Sequence, residues 1–403
     1  MAQGWRVGSL FGIPLWIDPS WFVIVALVTI SYVGTYSSAV TTPAVAWSAA
    51  LATALLLFLS VLLHELGHSL AARFQGIRVE RITLFLFGGI AQIARESNTP
   101  AQAFQVAIAG PLTSLGLFLL LSGISALSLG PTGVEMTSSL ARINLILALF
   151  NLLPGLPLDG GQVLKALIWQ VSGDRGIGTH WAARAGMLLG WAAMLGGAAL
   201  WWQNPSEISG LWLVLLGWFG VRNADRYDRL TNLQDALNTL TVQAAVQRNF
   251  RVLDGNETVE AFAADWLRMA QVPQALFVSR NGRWSGLLDL EDLRLLPREV
   301  WGNRTLAELA RPLAELPCLP ISANLGSAIL GLERSPLPFL VVLSPAGAVE
   351  GILDRADCVG LLAQQLGFPL LPGQLDQIRR EGCYPDGLRL DLMVRESESP
   401  EAP

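Results

Sequence analysis

Apolar blocks fill the first 220 or so residues, and several approach the length of a bilayer crossing. A hydrocarbon core takes about 20 apolar residues of helix. Runs near that length occupy 19–36, 43–72, 101–129, 138–153, 181–202 and 208–221. The pattern predicts a polytopic α-helical membrane domain of about six spans. The fourth and sixth runs are short, and the fourth resumes beyond Pro154 and Pro157 as a second helical piece, 160–171. Such a break is tolerated in a membrane only where protein or a polar cavity surrounds it. Between the second and third runs, 76–93 opens with apolar/polar alternation and carries Gly88 and Gly89, which predicts a re-entrant β-hairpin.

Arginine and lysine sort by side. One set of flanks holds Arg6; Arg73, Arg78, Arg81 and Arg95; Lys165, Arg175 and Arg184; and Arg222, Arg226 and Arg229. The opposite flanks, 37–43, 130–137 and 203–209, contain neither residue type. By the positive-inside rule both termini are expected in the cytoplasm, in a multi-pass protein of a bacterial cell membrane. The first apolar run contains Pro14 and Asp18 and leads into a longer span, so a cleavable signal peptide is not expected.

From Arg222 onward charges are frequent and the chain reads as soluble. Two stretches of this half align: 241–246, 252–267, 274–279 and 286–292 correspond to 305–310, 318–332, 338–343 and 351–357. Each reads as a short helix, strand, helix, strand, turn, strand and helix, so an internal α/β repeat is expected. Composition agrees with a largely membrane-embedded half: 52% hydrophobic residues exceed, and 15% charged residues fall below, the shares of an ordinary soluble protein. A net charge of −5 leaves no footprint for nucleic acid. Cys318, Cys358 and Cys383 lie in the soluble half without metal-ligand spacing and read as reduced thiols.

The chemistry concentrates at His64-Glu65-Leu66-Gly67-His68, an HExxH pattern at the end of the second apolar run. Residues four apart share a helix face, so both imidazoles can serve one metal ion, with Glu65 beside it as a general base. Ionisable groups in an apolar span are costly and call for a function. His68 lies five residues before Arg73, about 8 Å inside the cytoplasmic boundary at the helical rise. A catalytic zinc takes three protein ligands and keeps a position open. His180, the third histidine of the chain, lies outside the apolar segments. Asp159 is the carboxylate of an otherwise uncharged stretch, six residues before Lys165, or about 9 Å by the same rise. Two inward-running spans therefore bring His64, His68 and Asp159 to similar depth. Asp159 also suits an N-cap for a helix starting at Gly160, and Gly110-Pro111 suits a packing or kink feature of the third span.

HELGH at 64–68 and NLLPGLPLDGG at 151–161 resemble the motifs of the site-2 protease family of intramembrane zinc metalloproteases, over roughly 4–225. The resemblance implies one catalytic Zn2+ held by His64, His68 and Asp159, with Glu65 as catalytic base. It implies a substrate-positioning or oxyanion role for Asn151, and a hairpin with Gly88 and Gly89 lying against the active site. The strand edge near 84–90 then suits an unwound substrate segment. Transmembrane protein substrates, cut near the cytoplasmic face, are expected.

The repeat resembles a tandem pair of CBS domains over 238–367, a module that often binds adenosine nucleotides. Asp289 and Asp354 stand at the turn where a phosphate would be met, and a carboxylate there repels it. Regulation of activity or substrate access, or substrate docking, is therefore expected of the pair. The predicted organisation is 1–225 protease domain, 226–237 linker, 238–300 and 301–367 CBS repeats, and 368–403 extension with a disordered end. A CBS-gated transporter or channel is the alternative, and it would spread polar residues through several spans.

Overall fold

Long-range pairing shapes the start of the chain. In the computed structural model, which describes residues 4–38, 42–86, 88–127, 130–266, 273–371, 373–384 and 390, Trp5–Leu10 (β1) and Ile13–Ile17 (β2) form an antiparallel hairpin. The apolar pattern does not predict these strands. Gly8, Gly12 and Pro14 interrupt their local alternation, and β2 is held by parallel pairing to Val79–Phe85 (β3), with Leu15 opposite Ile82. The expected hairpin is present as β3 and Gly88–Ile93 (β4), completing a sheet of order β1-β2-β3-β4. Within that sheet β4 is an edge strand, paired to β3 alone.

The chain divides into two compact units, Met1–Thr231 and Asn232–Pro403. The first holds Ser20–Ser37 (α1), Pro43–Phe74 (α2), Pro100–Ser125 (α3), Gly130–Asn151 (α4), Asp159–Ser172 (α5) and Arg175–Gln203 (α6), with Ser209–Thr239 (α7) following. Ala46, Ala50 and Ala54 recur at i+4 on α2 and are all buried. Small side chains there let helices approach, as packing in lipid favours. Ile13, Leu62, Leu66 and Ile82 belong to one buried cluster that ties the sheet to α2.

The pattern predicts about six spans, and the helical membrane domain is present. Among the described residues five helices, α1 to α4 and α6, are long and apolar enough to cross a membrane. The sixth run is the front of α7, whose apolar part is about 20 Å long by the helical rise. The helix then continues with charged residues to Thr239, through the 226–237 segment read as a linker. A Cβ on Gly190 would stand 2.8 Å from the Gly217 carbonyl oxygen, and one on Gly197 2.6 Å from that of Gly210. This apolar part therefore packs backbone to backbone on α6. The break between α4 and α5 is packed on α6 at its centre: Leu156 is buried and its N–H donates to the Ala182 carbonyl, while Leu152 and Leu153 stay exposed. Two charges, Arg142 and Arg184, fall inside predicted spans away from both motifs. Arg142 on α4 reaches back to Glu135 at 3.5 Å with its side chain largely exposed, the behaviour of a long cation seeking polar surroundings.

The second unit repeats one topology twice. Phe250–Asp254 (β5), Val259–Trp266 (α8), Ala275–Arg280 (β6), Arg283–Leu287 (β7) and Leu290–Arg294 (α9) form the first copy. A short helix, Leu306–Leu309 (α10), and a two-residue strand, Arg311–Pro312 (β8), follow. Cys318–Pro320 (β9), Leu325–Arg334 (α11), Phe339–Leu343 (β10), Val349–Asp354 (β11) and Arg355–Leu366 (α12) form the second copy. In each, the first strand pairs parallel and the third antiparallel to the middle one. Asn281 and Gly282 both take positive φ in the first hairpin, as a tight two-residue turn requires.

Asp289 and Asp354 are N-caps, accepting from the Glu291 and Asp357 backbone N–H groups. In both copies an arginine also bridges the paired carboxylates. Arg311 lies 3.1 Å from both Asp289 and Asp292, and Arg379 reaches Asp354 at 2.6 Å and Asp357 at 3.1 Å. Burial acts to raise Asp354, but hydrogen bonds from Arg379 and Gln274 hold its carboxyl below the usual range. Arg379 comes from Gln374–Glu381 (α13), a helix of the extension that the pattern does not predict. The tail at 396–403 lies outside the described residues. Cys318, Cys358 and Cys383 are free thiols, as expected.

Candidate metal centre

The HExxH turn sits in the last third of α2, where His64 and His68 are both buried. Their Nε2 atoms converge on one oxygen, Asp159 Oδ2, at 3.1 and 3.3 Å. Tetrahedral zinc with ligands at 2.0–2.1 Å sets its donors about 3.3 Å apart. The two imidazoles and the carboxylate therefore have both the chemistry and the spacing of a zinc donor set, and among the described residues they form such a group.

The remaining ring nitrogens fix the orientation. His64 Nδ1 is 2.9 Å from Ser114 Oγ, and His68 Nδ1 donates to the Val106 carbonyl at 2.7 Å. Both partners lie on α3, and outer partners of this kind set tautomer and ligand basicity. Gly110 on the same helix supplies the room. A Cβ there would stand 2.1 Å from His68 Nε2 and 2.8 Å from His64 Nε2. The packing role expected of Gly110 thus has a specific object, the two rings. The sequence offered only a faint signal for Val106, Gly110 and Ser114: small and polar residues recurring on one face of an apolar helix.

Asp159 follows the break between α4 and α5. It is the first residue of α5, with Leu158 in the N-cap position, so the N-cap expectation is corrected by one residue. Its carboxylate turns to the histidines, and the positive end of the helix favours a negative charge there. Glu65, one residue past His64, lines a cavity of about 380 Å³ together with His68, Asp159 and Gly89. A Cβ on Gly89 would lie 2.5 Å from Glu65 Cγ, so β4 passes directly over the carboxylate stem. Gly88 does not share that contact; its φ of +133° is a conformation L side chains rarely adopt. Asn151 ends α4 with Nδ2 3.4 Å from His64 Nε2. His180 stands apart, hydrogen-bonded to Asp228 at 2.7 Å. Lys165, read as a surface flank, is instead buried and bonded to Glu96.

With this geometry in view, comparison with known proteins is informative. The model of peptidase family M50 matches residues 52–139 and 132–193. Two proteins named as putative zinc metalloproteases align over most of their length. One, sll0528 of Synechocystis sp., is 40% identical over 369 residues, spanning 90% of this chain and 96% of that protein. The other, Rip3 of Mycobacterium tuberculosis, is 32% identical over 328 residues, 78% of this chain and 81% of its own. A solved site-2 protease from Methanocaldococcus jannaschii is 27% identical, covers 56% of this chain and 95% of its own, and gives a TM-score of 0.40. The CBS domain of a bacterial CNNM/CorC family Mg2+ transporter in complex with ATP is 16% identical, covers 34% of this chain and 97% of its own, and gives 0.28.

If α3 positions the rings as described, Gly110→Val should leave too little space for them. Purified protein should keep its helical circular dichroism but lose most of its zinc by elemental analysis, an affinity loss of at least about 10–100-fold. Full zinc content in that variant would contradict the assignment.

Proposed function

The chain belongs to peptidase family M50 and is an intramembrane zinc metalloprotease of the site-2 type; on that premise we propose how its residues divide the reaction and where it occurs. His64, His68 and Asp159 hold the zinc, and Ser114 and Val106 keep the rings in place. When bound, the ion polarises the scissile carbonyl and lowers the pKa of water towards about 7. Glu65 takes the proton of the attacking water as its oxygen adds to the carbonyl carbon. It then delivers that proton to the leaving amine as the C–N bond breaks. The Asn151 amide donates to the developing oxyanion. The carrying observation is the convergence of both Nε2 atoms on Asp159 Oδ2 with Glu65 and Gly89 on the wall of the same cavity.

A substrate helix hides its carbonyls in its own hydrogen bonds and must unwind before it is cut. The edge of β4 offers backbone groups to an extended segment, and Gly89 lets that strand lie against Glu65. Substrates are therefore transmembrane segments of other proteins. The arginine and lysine asymmetry supports a bacterial membrane orientation with both termini and the CBS-like pair in the cytoplasm. Cleavage then falls near the cytoplasmic face.

The CBS-like pair governs substrate access or docking. In both copies the carboxylates that would face a nucleotide are N-caps already bridged by the chain's own arginine. A transporter reading has no observation of its own among the described residues.

Glu65→Gln should retain zinc while cleavage of a transmembrane reporter drops by about 10²–10⁴-fold, the usual share of a general base. Wild-type-like cleavage would overturn the mechanism. For the pair, titration of the full-length protein with ATP or AMP should give no saturable calorimetric signal up to millimolar concentration. Micromolar binding would contradict the self-bridged reading.

A further inference from the structure

The cavity that begins at Glu65, His68 and Asp159 extends to a second polar group, formed by Arg95, Glu96 and Lys165. Lys165 reads as a flank only in sequence; in space it is buried, its side chain 9% exposed. Its Nζ bonds Glu96 Oε2 at 2.9 Å, and that carboxylate also pairs with Arg175. Arg175 in turn lies over the Trp169 ring, which lines the same cavity. Two cations thus pair with one carboxylate that is itself 62% exposed, and a third, Arg95, lines the same cavity.

An ammonium has three N–H donors, and Glu96 takes one of them. No other hydrogen-bond partner of Lys165 is present among the described residues. A buried ammonium with donors to spare, lining the same cavity as Arg95, can receive an anionic group. Lys165 follows Asp159 by six residues on α5, a rise of about 9 Å. An extended peptide covers that distance in about three residues at the strand rise.

Building on the active-site reading above, we propose that Lys165, with Arg95 beside it, forms a specificity subsite for an acidic side chain of the substrate. That side chain lies two to four residues from the scissile bond, and its carboxylate takes the ammonium donors that Glu96 leaves free. Ile77, Ile93 and Val106 on the remaining walls are apolar and suit the neighbouring positions of a transmembrane segment. Glu96 is the internal competitor of the incoming acid, so it limits how strongly the acid is preferred.

The test uses full-length protein in proteoliposomes and paired transmembrane substrates that differ only by Asp or Asn. The substituted position is scanned from two to four residues on each side of the cut. At one position wild type should cleave the Asp substrate with about tenfold higher kcat/KM, the worth of a charge-assisted hydrogen bond. That ratio should fall to about one in Lys165→Met, persist in Lys165→Arg, and rise in Glu96→Gln. A ratio near one for wild type at every position overturns the proposal. So does a Lys165→Met protein that cleaves more slowly yet keeps the ratio, because its role is then structural. Glu65→Gln is assayed in parallel: cleavage surviving there defeats the active-site reading itself, whereas a missing Asp preference with Glu65-dependent cleavage intact defeats the subsite alone.

Discussion

Two imidazoles and a carboxylate packed among apolar helices are costly unless each polar atom meets a partner, and the first unit is arranged around that requirement. The Nε2 atoms of His64 and His68 face Asp159, and their Nδ1 atoms face Ser114 and Val106. Meeting it draws on three helices. α2 brings the histidines, α3 brings the outer partners and the missing Cβ of Gly110, and α5 brings the aspartate at its positive end. The break before α5 follows from the same need, because Asp159 enters the site as the first residue of a helix.

The sheet answers a different constraint. A membrane protease must expose backbone hydrogen-bonding groups to an unwound substrate without leaving them bare in lipid. In the proposed reading, the four-stranded sheet with β4 at its edge, tied to α2 by the cluster around Leu62 and Ile82, does this beside Glu65. The edge and the base are then positioned by one rigid helix. The second unit meets its own charges internally, with an arginine bridging the carboxylates in each copy. That arrangement favours a module that acts through its surface.

What was legible in the sequence followed from rarity and period. His64, His68 and Asp159 stand out because histidine and aspartate are scarce in apolar runs, and their depth follows from counting residues to the nearest cation. The hairpin at β3 and β4 was legible from alternation and paired glycines. Val106, Gly110 and Ser114 were not, because their role exists only once α3 lies against α2. Strands β1 and β2 depend on a partner far along the chain, and α7 joins a short apolar stretch to a charged one, which a length rule splits. Lys165 carried the opposite lesson. A charge at the end of an apolar run reads as a flank, but its burial against Glu96 is a property of the packed cavity.

The central claim is that two histidines and one aspartate from separate helices hold a single zinc ion. Zinc K-edge absorption spectroscopy on the purified full-length protein, with elemental analysis, tests it most directly. One zinc per chain is predicted, with two imidazole nitrogens and a carboxylate oxygen in its first shell, the oxygen contribution changing and the zinc content falling in Asp159→Ala. Sulfur ligation, or an unaltered zinc shell at full occupancy in Asp159→Ala, would contradict it.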